Sequence, residues 1–383
     1  MNLPIYLDYA ATTPVDPRVA AKMMQYLMPD GIFANASSTH TLGQAAKNAV
    51  DIARAKVAKT IHAEPSQMIW TSGATESNNL ALKGASEIYQ RKGRHIITLK
   101  TEHSSVLDCC QQLEKQGFFV TYLTPSANGL LDLTALRAAL REDTILVSIM
   151  QVNNETGVIQ DINAIAEFTA AEGILLHVDA AQSIGKIHLD VEKTPIDLVS
   201  LSAHKVYGPK GIGALYLRRK PRVRVAAQMH GGGHEQGMRS GTLPVHQIVG
   251  MGEAFELADD CFAKERNRIT ELKRYFYAAL QARTGAIVNG DFENSVPHIL
   301  NVRFPGIKTS ELINAIPEMA VSTGSACHAK GTEPSYVLRA MGLTAEEAHC
   351  SLRFSFGRFT TKEELDDVID LLPLPPQAFC GIR

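Results

Sequence analysis

Lys205 is the residue around which chemistry gathers. It lies in Leu198-Val-Ser-Leu-Ser-Ala-His-Lys-Val-Tyr-Gly-Pro-Lys-Gly211, where an apolar run delivers Ser202, His204 and Lys205 and then breaks at Gly208-Pro209. An amine at the end of a buried strand, followed by glycines that let a ligand approach the backbone, is suited to covalent work. It needs desolvation or a cationic neighbour to lose its proton, and His204 with a nearby anion site would set up that environment. Taken singly, such a lysine is more often a solvated loop residue. Four other apolar runs argue against that. Ile174–Val178 ends in Asp179-Ala-Ala-Gln182, Ile145–Val152 in Asn153-Asn-Glu-Thr-Gly157, Ile96–Leu99 in Thr101-Glu-His103, and Met68–Thr71 in Ser72-Gly-Ala-Thr-Glu-Ser77. Five runs that each release polar groups at their carboxyl ends describe one crevice.

Two more side chains stand out by context. Arg353, set among apolar residues in Leu352-Arg-Phe-Ser-Phe356, needs a partner: a substrate carboxylate gripped by both arms of the guanidinium, or an internal salt bridge. Cys327 lies in Ser322-Thr-Gly-Ser-Ala-Cys-His-Ala-Lys-Gly-Thr-Glu-Pro334, small and polar with no amphipathic period, the composition of a mobile loop. His328 and Lys330 beside it would favour the thiolate. Cys109, Cys110, Cys261 and Cys350 read instead as small buried hydrophobes.

The elements that must hold these groups alternate between two periods. Pro17–Met28, Ala45–Ile61, Glu76–Arg91, Val106–Gln116, Asp132–Arg141 and Ile162–Ala171 have helical periodicity and fall between the apolar strand runs. Alternation to about Leu217 predicts crossover connections and a mainly parallel sheet. Beyond it the pattern changes to a long polar helix, roughly Glu253–Arg283, and short strands at Ile299–Phe304 and Arg353–Phe356, which predicts a smaller α+β domain. Hydrophobic content of 45% over 383 residues is ample for more than one core. A net charge of −2 provides no field for nucleic acid or a membrane surface. The amino terminus has no basic and apolar leader, and six cysteines in so long a chain are not a disulfide framework, so a reducing cytoplasm is expected.

Together these motifs resemble the aspartate-aminotransferase-type fold of pyridoxal-phosphate enzymes, and within it the IscS/NifS cysteine desulfurases. Tyr6-Leu-Asp-Tyr-Ala-Ala-Thr-Thr-Pro14, Thr71-Ser-Gly-Ala-Thr-Glu-Ser77, Lys100-Thr-Glu-His103, Asn153-Asn-Glu155, His177-Val-Asp-Ala-Ala-Gln182, Ser202-Ala-His-Lys205, Arg239-Ser-Gly-Thr242 and Gly324-Ser-Ala-Cys327 carry the likeness, in family order. It implies a large domain over 15–260, and a small domain of 1–14 with 261–383, the return of the amino-terminal segment being taken from the family. It implies pyridoxal 5'-phosphate carried covalently on Lys205, which would also move protons. Asp179 would face the pyridinium nitrogen, where its sequence context alone left a helix cap at Ala180 open. His103 would stack on the ring and carry protons, and Gln182, helped by Asn154, would hydrogen-bond the ring oxygen. Ala74, Thr75, Ser202 and His204 would hold the phosphate, and Thr242 would reach it in a partner subunit, which makes the chain a homodimer. Arg353, with Asn154, would bind the carboxylate of L-cysteine, and Cys327 would take its sulfur as a persulfide, leaving alanine. The implied partners are an iron–sulfur scaffold protein of the IscU kind, with Cys327 a ligand to a transient shared [2Fe-2S] cluster, and sulfur carriers for tRNA thiolation. The rivals are another enzyme of this fold, a selenocysteine lyase or aminotransferase, and a non-catalytic subunit.

Two departures from the family pattern stand in the sequence. His328-Ala-Lys-Gly331 replaces the small polar residues common after the loop cysteine. The chain ends in Leu371-Leu-Pro-Leu-Pro-Pro-Gln-Ala-Phe-Cys-Gly-Ile-Arg383, whose prolines cannot continue the preceding helix into the longer tail where a scaffold docks.

Overall fold

The computed structural model describes residues 4–323 and 333–372. Seven strands form the central sheet in the order Met68–Thr71, Gly213–Leu217, Leu198–Ser202, Leu175–Asp179, Thr144–Met150, His95–Leu99, Phe119–Leu123. Among the described residues, Gly213–Leu217 is the one strand of this sheet that runs antiparallel to its neighbours. The other ladders are parallel. Successive side chains of a strand point to opposite faces, so the apolar runs feed two cores at once. Ile97, Val147, Leu176, Val199 and Leu201 pack with the helices Thr41–Lys59 and Ile162–Ala171. Ile96, Leu146, Leu198 and Leu215 pack with Ala74–Tyr89 and Ser104–Glu114 on the other face. Each fully buried aliphatic side chain in these layers contributes about 1.5–3 kcal/mol.

A second apolar cluster gathers Leu7, Phe276, Leu300, Val302, Leu352 and Phe354 around a small antiparallel sheet ordered Ser351–Ser355, Ile299–Arg303, Ile287–Val288. Phe276 meets Phe354 and Phe356 edge-on, with centroids 5.1 and 5.6 Å apart. The amino-terminal segment reaches this cluster through Leu7, and Ile5–Tyr6 pairs in parallel with Met319–Ala320.

The helix Val245–Thr284, 40 residues long, belongs to both cores. Ile248, Met251 and Phe255 enter the large one; Ile269, Phe276 and Leu280 enter the small one. The sequence reading placed its start at roughly Glu253, and the structure carries it back to Val245, through Gly250 and Gly252. These are packing glycines: a Cβ on Gly252 would lie 2.8 Å from the Cα of Ala53 in the helix Thr41–Lys59. A helix-interior glycine costs about 1 kcal/mol relative to alanine, and here it lets two buried helices touch.

Other boundaries also moved. The expected Pro17–Met28 helix ends at Met24, and Asp132 is the N-cap of the short helix Leu133–Ala138 rather than part of a helix to Arg141. The helices that follow two central strands start two residues earlier than periodicity indicated, at Ala74 and Ser104. The edge strand Phe119–Leu123 was not read from the sequence. Its Phe119 is 59% exposed, so it lacks the unbroken apolar run of a central strand. No helix among the described residues is long and apolar enough to cross a membrane.

Candidate active site

The five carboxyl ends meet in one cleft of about 600 Å³, and Ala74, Thr75, His103, Asn154, Asp179, Gln182, Ser202, His204, Lys205 and Arg353 all line it. All but Arg353 sit at the end of a central strand, just past it, or at the start of the next helix, where a parallel sheet exposes backbone and side-chain polar groups together. Lys205 is half-buried, and its Nζ donates to the carbonyl oxygens of Ala10 and Ala11 at 2.6 and 2.7 Å. The amino-terminal segment therefore forms the wall opposite the sheet. His204 Nδ1 lies 3.1 Å from Thr12 Oγ1 on that wall. Burial, with Lys205, Lys210 and Lys186 nearby, pushes the His204 imidazolium down to about 4, so the ring is neutral at pH 7.

Asp179 is nearly buried and held by two groups. Its Oδ1 accepts from the amide of Ala181 at 2.9 Å, and its Oδ2 accepts from Asn78 Nδ2 at 2.8 Å. No helix starts at Ala180, so the capping alternative gives way to a local turn. The same Asn78 amide donates to Ser105 Oγ at 2.8 Å, which lies 2.8 Å from His103 Nδ1. The amide of Ser105 also donates to that nitrogen, at 3.2 Å. Nδ1 is thus an acceptor, and in the neutral ring the proton sits on Nε2. Asn78 and Ser105 tie the acid of one strand end to the histidine of another, and the sequence reading assigned neither a role. Beside them Glu102 is completely buried; its Oε1 accepts from the Met150 amide at 2.8 Å. Burial raises its carboxyl well above the usual carboxylate range.

The helix Ala74–Tyr89 opens on Gly73, at φ +150°, with no side chain capping the free amides of its first turn. A Cβ on Gly213 would fall 2.6 Å from the Cα of Gly73, so the two glycines bring the backbone of the reversed strand against this helix start. Ser202 Oγ is buried in the same cleft with no hydrogen-bond partner. Uncapped amides, a helix dipole and an orphaned hydroxyl favour an anion. A phosphate at that end, a carboxylate for a ring nitrogen at Asp179 and an amine at Lys205 are the donor set that pyridoxal phosphate requires.

Arg353, 3% exposed, comes from the small sheet. Its Nη2 donates to Asp8 Oδ1 and its Nη1 to the carbonyl of Asn154, both at 2.8 Å, while Nε has no partner. The salt bridge weighed against the substrate clamp is therefore present, with Asp8, and the guanidinium still lines the cleft. The Oδ1 of Asn154 is also buried and unpartnered. Thr242 is exposed and does not line this chain's own cleft. Its glycine-rich segment is fixed by two ion pairs absent from the sequence reading. Glu235 takes both arms of Arg54 at 2.7 and 2.8 Å and the amide of Trp70, and Arg239 reaches Glu76 at 2.8 Å.

Cys327, with His328 and Lys330, lies outside the described residues, as do the three prolines of the carboxyl end. The described residues on either side of Cys327 attach to the cleft. Ser322 forms a β-bridge with Arg353, Ser335 Oγ donates to Glu155 Oε2 at 2.5 Å, and Tyr336 OH donates to the carbonyl of Glu102 at 2.6 Å. No cluster of three or more metal-ligating side chains occurs among the described residues.

Comparison with known proteins gives a consistent result. Residues 5–368 match the family described as aminotransferase class-V. The cysteine desulfurase IscS of Serratia proteamaculans is 60% identical over 373 residues, which cover 97% of this chain and 92% of that relative. A solved NifS-like protein superposes with a TM-score of 0.90 at 36% identity, over 96% of this chain and 98% of its own. SspA, solved in complex with cysteine, superposes with a TM-score of 0.83 at 39% identity, over 93% and 99%. The chain belongs to the class-V aminotransferase family and, within it, to the IscS-type cysteine desulfurases, which depend on pyridoxal phosphate.

Proposed function

We propose that this cleft holds pyridoxal phosphate on Lys205 and passes the sulfur of L-cysteine to Cys327. The observation that carries the assignment is the meeting of Lys205, Asp179, Arg353 and an uncapped helix start in one cleft. The amides of Ala74 and Thr75, with Ser202 and neutral His204, bind the phosphate. Asp179, fixed by Asn78, would pair with the ring nitrogen and favour its protonated form; His103 would stack on the ring, and Gln182 and Asn154 would address its oxygen. When bound, the cofactor is an electron sink that weakens the carbon–sulfur bond of the amino acid attached to it. Arg353 and Asn154 orient the substrate carboxylate, and Lys205 moves protons at the substrate carbon. The Cys327 thiolate attacks the substrate sulfur: a sulfur–sulfur bond forms and the carbon–sulfur bond breaks. The electron pair left on carbon takes up a proton. Alanine and a persulfide on Cys327 result, with atoms and electrons balanced.

The same reading divides the chain into a large domain over 15–260 and a small one of 1–14 with 261–383. It makes the enzyme a cytoplasmic homodimer in which Thr242 completes the partner's phosphate site. Sulfur supply to iron–sulfur cluster assembly is the known role of IscS. We assign sulfur carriers for tRNA thiolation as further acceptors, and Cys327 as a ligand to a [2Fe-2S] cluster shared with an IscU-like scaffold. Mass spectrometry of the purified protein after incubation with cysteine tests the core of the proposal. One or more sulfur atoms added to the Cys327 peptide are expected; alanine release with that peptide unmodified would overturn it.

A further inference from the structure

Gln182 is held between two partners of fixed character. Lys186 Nζ donates to its Oε1 at 2.5 Å, and its Nε2 donates to the carbonyl of Ala10 at 2.8 Å. A carbonyl cannot donate, so the end of the amide that faces Ala10 is its nitrogen, and Oε1 is left to accept from Lys186. The Ala10 oxygen also accepts from Lys205 Nζ at 2.6 Å, so Lys186, Gln182, Ala10 and Lys205 form one chain of hydrogen bonds. With Oε1 and one amide hydrogen engaged, Gln182 keeps a single donor for the cleft it lines.

Lys186 is an unusual residue to find behind a binding site. It is 6% exposed and borders a small cavity that also touches Tyr9, Thr13, Lys205, Glu265 and His298. Glu265 gives an oxygen to Arg358 at 3.0 Å, and among the described residues no carboxylate lies within ion-pair distance of Lys186. Burial, and after it the charges of Lys205 and Arg353, pull its ammonium down to about 7. A buried lysine whose hydrogen bond goes to a neutral amide is costly to fold around, and packing alone gives no reason for it.

We propose that Lys186 is a positioning residue for the cofactor: it locks Gln182 with its amide hydrogen toward the cofactor's ring oxygen and strengthens that donor. An amide whose oxygen accepts from a cation is polarised and donates more strongly. The proposal rests on the reading of Gln182 as the residue that addresses the ring oxygen, and its test separates the two. Apoenzyme of the wild type, Gln182→Leu, Lys186→Met and the double variant is titrated with pyridoxal phosphate, and the visible absorption maximum and dissociation constant are read. Gln182→Leu is expected to shift the maximum and weaken binding about tenfold. Lys186→Met shifts the maximum in the same direction and weakens binding about three- to fivefold. The double variant is no weaker than Gln182→Leu, because the lysine acts through the glutamine. A wild-type maximum and affinity in Lys186→Met, beside a shifted Gln182→Leu, overturns the role of Lys186 and leaves that of Gln182 standing; so do losses that multiply in the double variant. A Gln182→Leu that matches wild type overturns both. Where circular dichroism shows Lys186→Met unfolded, Lys186→Leu, which likewise removes the donor, is read by the same criteria.

Discussion

The two walls of the cleft are built differently. The sheet wall presents side chains from five strand ends, and several are locked to one another: Asp179 to Asn78, Asn78 to Ser105, Ser105 to His103. The facing wall presents mostly backbone, the carbonyls of Ala10 and Ala11, with Arg353 reaching in from the small sheet and steadied by Asp8. The first arrangement suits a resident cofactor whose ring must keep one protonation state. The second suits a substrate that comes and goes, since a guanidinium with an unengaged Nε still has a donor to offer.

If the walls divide the work in this way, changes to each will fail differently. Lys205→Ala strikes the centre of the sheet wall and is expected to abolish the visible band and to lower turnover by roughly a thousandfold or more. Cys327→Ala is expected to stop persulfide and sulfide formation to a similar degree while the band and its response to added cysteine survive, as absorbance and sulfide assays will show; retained turnover on cysteine would remove Cys327 from the reaction. Arg353→Gln acts on the substrate wall: KM for cysteine is expected to rise about ten- to a hundredfold with the band unchanged, the loss of a charge-assisted pair. Asn78→Ala acts on the sheet wall alone and is expected to weaken cofactor affinity about tenfold with KM nearly constant, measured by reconstitution of the apoenzyme. A rise in KM from Asn78→Ala, or a lost band from Arg353→Gln, would erase the distinction.

The smallest effect is on stability. His177 bridges Ser148 and Ser200 on neighbouring strands at 2.8 and 2.9 Å, and burial pushes its imidazolium down to about 4. The unfolded chain binds that proton near pH 6.5 and the folded one only near 4. The unfolded state therefore holds more protons between those values, and stability falls as pH drops through the window. The urea midpoint is expected to decline from pH 6.5 to 4, and His177→Gln to flatten that decline.

What the sequence disclosed follows from how far apart the partners lie. The run Leu198–Leu201 was legible because a strand buried on both faces is apolar throughout, and the polar residue after it announces a ligand end. Asn78 and Ser105 were not, since each gains meaning from a partner on another strand end, 101 residues away in the case of Asn78 and Asp179. Asp8 is farther still from Arg353, at 345 residues, and the sequence could say only that the arginine needed an anion. Lys186 sits four residues after Gln182, yet its burial comes from elements that fold over it from both cores. The role of Gly252 was not legible either, because composition registers the missing side chain and not the neighbouring helix that occupies its space.

The helix Val245–Thr284 has a mechanical consequence. At about 60 Å it is a single beam whose two ends are clamped in different rooms of the building. Neither room can be emptied without baring half the beam, so heating should bring both down in one cooperative event. For the same reason, a fragment cut near its middle would carry a greasy stump in place of a finished end.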